Sequence, residues 1–223
     1  MDVVNTYATT RRSLLSVAVG LDAADAARAV PALPGWSVKD AVAHVTGVCT
    51  DILAGDMEGA GGPAWTARQV RERQSATLQD VCQEWSSKSR SMDAWLRGVG
   101  EGALFCCFDV WNHEQDVRGA LGLRGEREDA RVRYLAGSAT GVFSARMLAA
   151  GAPPVRVITE GQDALLAGGD AVITLRTTDY ELLRLYFGRR SRSQVLEMGW
   201  EGNPNPAIEH LHLFPLPETD LAD

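Results

Sequence analysis

Residues 103–121 read ALFCCFDVWNHEQDVRGAL, a helix-forming stretch that Gly122 ends. Set at 100° per residue, Asp109, His113 and Asp116 fall within about 60° of one another and make one polar stripe. Phe108 flanks the stripe on one side and Cys106, Val110 and Val117 on the other, while Phe105 and Ala120 extend it at its two ends. Glu114, Gln115 and Arg118 occupy the opposite arc, with Trp111 at its edge. The solvent face is therefore expected on that arc, and the stripe is expected to point into the protein. Ionisable groups in an interior must be paired or must coordinate something, because an isolated buried charge is costly.

A facing helix is legible upstream. Ser37 and Asp40 form an S-x-x-D capping pattern, which fixes the register of a helix whose apolar face is Ala41, His44, Val45, Val48 and Ile52. His44 then faces inward. A first amphipathic stretch runs from Val3 to Leu21, and Pro31, Pro34 and Gly35 break it off. After the loop of Gly55, Gly59, Gly61, Gly62 and Pro63, apolar residues recur at helical spacing from Val70 to Leu96. Thr77 and Asp80 repeat the capping pattern, so two helices are expected there rather than one. Another helix, from Asp129 to Ala149, carries the stripe Val132, Leu135, Ala136, Ala139, Phe143 and Met147.

No strand is expected before Ala150, so residues 1–150 are assigned to an antiparallel, up-down four-helix bundle. Gly151, Pro153 and Pro154 mark the boundary. Residues 151–223 read as a small α+β domain, with strands at Val155–Thr159 and Ala171–Thr177 and helices at Asp179–Phe187 and around Gln194–Met198.

Composition narrows the function classes. Hydrophobic residues are 45% and charged residues 23% of the 223, which is ordinary globular usage. A net charge of -7 argues against a broad nucleic-acid surface, since Lys and Arg cluster only at Arg189, Arg190 and Arg192. No apolar run approaches the ~20 residues that span a bilayer. Asp2 and Asn5 precede the first apolar cluster, unlike a secretory signal, so a cytoplasmic protein without membrane partners is expected. Cys49, Cys82, Cys106 and Cys107 show no CxxC spacing and are expected to be reduced, mostly as small core residues.

Asp109 and His113 stand four residues apart, the separation that brings two side chains together on successive turns. With His44 they offer two imidazole nitrogens and one carboxylate, three ligands that leave positions open for water or substrate. The same residues also fit a hydrogen-bonded core histidine beside a buried ion pair. Asp116, one turn beyond His113, could orient that imidazole or hold a polar substrate group. Arg189, Arg190 and Arg192 follow Gly188 at a helix end, where they fit either capping of the terminal carbonyls or an anion clamp for a substrate carboxylate. His210 and His212 read as strand-edge positions.

Three segments resemble the mycothiol-dependent maleylpyruvate isomerase family, within the DinB-like superfamily of metal-binding bundles. They are Pro34-Gly35-Trp36-Ser37-Val38-Lys39-Asp40-Ala41-Val42-Ala43-His44, then Asp109 to Arg118 with Ala120-Leu121-Gly122, and Gly188-Arg189-Arg190-Ser191 with Gln194, Trp200, Glu201 and Gly202. The resemblance implies a divalent ion, taken as zinc, held by His44, Asp109 and His113, with a C-terminal domain that closes over the site. Where the family has Glu, this chain has Asp109, whose shorter side chain must approach more closely or bind through a water. The resemblance further implies mycothiol, the actinobacterial thiol, as cosubstrate, its thiolate favoured by the metal. In that setting His44, Asp116 and Arg190 are candidate catalytic residues, and Arg118 and Arg189 candidates for binding the thiol.

The function expected is thiol activation at a metal for addition to a small electrophile, by S-transfer or by maleylpyruvate-type cis-trans isomerisation of a dicarboxylate. The chain is expected to work as a monomer or homodimer. The rival from another class is a non-catalytic bundle that senses a ligand.

Overall fold

The computed structural model describes residues 1–222, which divide into two compact units, Met1–Gly125 and Glu126–Ala222. The first is wholly helical. It runs through α1 (Val3–Ala18), α2 (Ala23–Ala26), α3 (Val38–Ala54), α4 (Pro63–Glu72), α5 (Leu78–Ser87) and α6 (Ser89–Val99). A 3-10 turn at Gly100–Ala103 then leads into α7 (Leu104–Ala120).

Local chemistry sets these boundaries. Ser37 and Asp40 form a full capping box: Ser37 Oγ accepts from the Asp40 amide at 3.2 Å, and Asp40 Oδ2 accepts from the Ser37 amide at 2.9 Å. Gly55 closes α3 in the left-handed conformation, φ 74°, which costs a glycine nothing. Thr77 and Asp80 repeat the box at the start of α5. The segment expected as two helices is three, because the chain turns between α4 and α5 and bends again at Lys88.

Four rods, α1, α3, the α5–α6 pair and α7, pack as a bundle, and α4 lies against α3 outside it. Leu14, Val42, Trp85, Met92, Leu96 and Trp111 are fully buried at its centre. The expected inward face of α3 is buried throughout, His44 included.

Helix α7 departs from the expectation on its far side. Glu114 and Gln115 are each only 1% exposed, whereas Phe105, placed at the end of the inward stripe, is 47% exposed. The cause is α1, which packs along that arc. Ser13 of α1 donates to Glu114 Oε1, and Arg118 donates to Glu114 from Nε at 3.0 Å and to Ser13 Oγ from Nη2 at 2.9 Å. The polar arc on this helix is a buried interface, with Glu114 paired to Ser13 and Arg118, and not a solvent face.

The second unit begins ahead of the pattern change at Gly151. It comprises α8 (Ala130–Ala149), β1 (Val155–Ile158), β2 (Asp163–Leu166), β3 (Ile173–Arg176), α9 (Asp179–Tyr186), α10 (Arg192–Leu196), β4 (Gly199–Glu201) and α11 (Asn205–Ile208). Asp129 caps α8, whose predicted stripe is buried along its length, and α8 packs on α9 and β2. The strands form one mixed sheet in the order β2-β1-β3-β4, with β1 and β3 parallel and the outer pairs antiparallel. Val155 and Val157 alternate inward on β1, as Ile173 and Leu175 do on β3. His210 and His212 follow α11, the first in a turn and the second in irregular chain, and not at a strand edge, and His212 Nδ1 lies 2.9 Å from the Phe214 carbonyl.

Among the described residues no helix is long and apolar enough to cross a membrane.

Candidate metal centre

Helices α3 and α7 bring His44, Asp109 and His113 together inside the first unit. Three potential ligand atoms, one from each, lie within 4.8 Å of one another. His44 Nε2 stands 3.4 Å from Asp109 Oδ1, and the two imidazole centroids are 4.8 Å apart. Both histidines are buried, and the Asp109 carboxylate keeps 28% of its side-chain surface open.

The separation of His44 from Asp109 is informative. It is longer than a good hydrogen bond, whose donor and acceptor sit about 2.7–3.2 Å apart. Two ligands each about 2.1 Å from a tetrahedral ion stand roughly 3.4 Å apart, so this pair is spaced as ligands of one ion are. The 4.8 Å spread of the three atoms leaves the cluster more open than a closed tetrahedral face.

The hydrogen bonds behind the rings fix which nitrogen each presents. His113 Nδ1 lies 2.8 Å from the Asp109 backbone carbonyl, which can only accept, so the neutral ring carries its proton on Nδ1 and its lone pair on Nε2. For His44 the partner is Gln69 of α4, whose Oε1 lies 2.7 Å from Nδ1. The Gln69 amide is oriented in turn, because its Nε2 donates to Asp51 Oδ2 at 2.9 Å. Arg68 donates to the same Asp51 oxygen at 3.1 Å and also pairs with Asp56. Both imidazoles thus offer an Nε2 lone pair, as nitrogen ligands of a metal do.

Trp36, which leads into the α3 cap, forms a wall beside the cluster. Its ring lies 5.2 Å from that of His44 and 6.1 Å from that of His113.

The other expected site residues have distinct settings. Asp116 is buried on α7 one turn beyond His113, whose Nδ1 is met by the Asp109 carbonyl. Arg118 bonds Glu114 and Ser13. In the second unit, Arg189 Nη1 donates to the Phe187 carbonyl at 2.9 Å, a bond of the capping kind. Arg190 donates to both oxygens of Glu181, with Nη2 to Oε1 at 2.9 Å. Burial opposes ionisation of Glu181, but the Arg190 bonds outweigh it and hold the carboxyl below its usual range. Arg192 pairs with Glu209. Gln69 and Asp51 carried no sequence signal of a role at the centre, since only the approach of α4 to α3 brings them there.

A helical bundle with two imidazoles and a carboxylate converging between its helices, joined to a small mixed-sheet unit, defines the class: bundle proteins with a candidate metal site at their core. Residues 7–124 match the family described as the mycothiol maleylpyruvate isomerase N-terminal domain, and the chain belongs to that family. No curated protein matches it in sequence. In fold it is similar to the crystal structure of the mycothiol-dependent maleylpyruvate isomerase, at 12% identity and TM-score 0.55, covering 83% of this chain and 88% of that one. A histidine-to-alanine mutant of the same isomerase aligns with TM-score 0.57 at the same identity and coverage. At that identity the likeness concerns the fold.

Proposed function

We propose that this chain is a metal- and mycothiol-dependent enzyme that activates a low-molecular-weight thiol for addition to a small electrophile, by S-transfer or by maleylpyruvate-type isomerisation. The observation that carries the proposal is the convergence of His44, Asp109 and His113, three potential ligand atoms within 4.8 Å of one another, with the Nδ1 of each imidazole met by an oxygen from behind. His44, Asp109 and His113 would hold the ion, and zinc suits two imidazoles and a carboxylate. Bound there, a divalent cation supplies the positive charge that favours the deprotonated form of a thiol.

The chain's own sulfur supports an external thiol. All four cysteines are buried. Burial pushes the Cys49 and Cys82 thiols up to about 11, and raises Cys106 and Cys107 as well. None is a ready nucleophile near neutral pH, so the reacting sulfur comes from a cosubstrate. Trp36 gives the site an apolar wall that limits water beside the cluster. Asp116 and Arg118, on the same helix as Asp109 and His113, complete the proposed set, Arg118 for the thiol. Arg118 would exchange its present carboxylate partner, Glu114, to take part.

The test is metal analysis followed by turnover. Near-stoichiometric metal that is lost in the His44→Ala, His113→Ala double variant is the expected result. Metal-loaded protein is then incubated with mycothiol and either maleylpyruvate or a generic electrophile. Product without net thiol loss means isomerisation, and thiol consumption means S-transfer. A protein that binds no metal and is indifferent to chelators would overturn the proposal in favour of a ligand-sensing bundle.

A further inference from the structure

Helix α4 stands outside the four rods of the bundle, yet it supplies the side chain of Gln69, which meets His44 Nδ1 from behind. Gln69 is fully buried there. Its close approach depends on Gly47 in the middle of α3, where a β-carbon would come within 2.5 Å of Gln69 Cβ and 2.6 Å of Cγ. A glycine inside a helix is unfavourable by itself, so the contact it permits is the structural return.

The polarity of the chain from Arg68 to His44 has a single sense. Arg68 can only donate, the Asp51 carboxylate accepts from Arg68 and from the Gln69 NH2, and the Gln69 oxygen is thereby turned to His44. A neutral imidazole free in water favours the proton on Nε2, the atom that here faces Asp109. Both nitrogens face oxygens that accept, but Gln69 Oε1 is at hydrogen-bond distance, 2.7 Å, and Asp109 Oδ1 is at 3.4 Å, so the proton is drawn to Nδ1 instead.

We propose that Gln69, oriented by Asp51, is a positioning residue that holds His44 as the Nδ1–H tautomer before any metal arrives. The role in metal affinity rests on the metal reading above, whereas the role in tautomer choice does not.

Both parts are testable on the full-length protein. Side-chain 1H–15N spectra of the metal-free form report the His44 tautomer, and Zn2+ and Co2+ titrations report affinity. The unsubstituted protein is expected to show a protonated Nδ1 and a bare Nε2. Gln69→Leu should move the proton to Nε2 in most molecules and weaken Zn2+ binding about 10–100-fold, the usual range for loss of an outer hydrogen bond to a ligand. Gln69→Glu, sharing one proton with Asp51, keeps an accepting oxygen opposite Nδ1 and should restore the tautomer and most of the affinity. Should Gln69→Leu fail to fold, Asp51→Asn frees the Gln69 amide to turn and should give a mixture of tautomers. A protonated Nε2 in the unsubstituted protein overturns the proposal, as does a Gln69→Leu variant, or in its place Asp51→Asn, unchanged in tautomer and affinity. A Gln69-dependent tautomer in a protein that binds neither Zn2+ nor Co2+ overturns the metal reading and leaves the positioning role standing.

Discussion

The indole ring of Trp36 lies 5.2 Å from the imidazole of His44, on the chain segment that caps the helix carrying that histidine. Emission from this indole should therefore respond to what the imidazole binds. Titration with Co2+ is expected to quench part of the tryptophan fluorescence, and Trp36→Phe should abolish that component while leaving binding by calorimetry nearly intact. Equal quenching in the variant would place the ion elsewhere.

Gly47→Ala forces α4 outward, because the new methyl would meet the Gln69 side chain and come within 3.0 Å of Arg73 Nη1. Overpacking of this kind costs roughly 1–3 kcal/mol, more than the gain from replacing a helical glycine. Urea denaturation should show a lower midpoint, and Zn2+ affinity should fall along with it. A variant that is more stable and binds metal normally would show that α4 adjusts freely.

Arg73 ties α4 to α5 by donating from Nη2 to Glu84 Oε1 at 2.6 Å and from Nε to Oε2 at 2.9 Å. Burial raises the Glu84 carboxyl, but the Arg73 bonds and a further bond from Thr50 outweigh it, so its pKa lies below the usual value. A depressed folded pKa contributes stability above the unfolded value of about 4.3, and that contribution is lost as pH falls through the lower folded value. Glu84→Gln is expected to flatten the acid limb of the stability profile below about pH 4.3. An unchanged limb would show that Glu84 is not a source of the acid sensitivity.

The buried thiols predict chemical silence. No cysteine of the native protein should react within minutes with an aromatic disulfide reagent at mildly alkaline pH, and all four should react in denaturant. Cys49 and Cys82 are raised by burial to about 11, so their protonated forms favour the fold. Their share of stability is whole below the unfolded value of about 8.5 and is lost as pH rises through about 11. Rapid native labelling of one thiol would remove the reason for requiring sulfur from outside.

The features that were legible in the sequence are the local ones. Ser37 with Asp40 and Thr77 with Asp80 each settle their own helix start within four residues. His44, Asp109 and His113 were legible because helical spacing fixes which side chains share a face. The burial of Glu114 and Gln115 was not, since polarity alone does not separate a residue in water from one held against a neighbouring helix, as Glu114 is by Ser13. Strands β2, DALL, and β4, GWE, are too short to show alternation and exist through pairing with β1 and β3. Gln69 escaped notice for a related reason: its partner lies on another helix, and a glycine twenty-two positions earlier permits the meeting.

The Gln69 bond divides the labour of the centre between two kinds of helix. Ligand identity belongs to the rods that make up the core, whereas the aim of one ligand belongs to an accessory helix hung from a glycine-rich loop. A protein engineer who transplanted only the four rods would carry over every donor atom and lose the aim of the first. Conversely, substitution at Gln69 itself offers a dial on metal strength that leaves the three ligands in place.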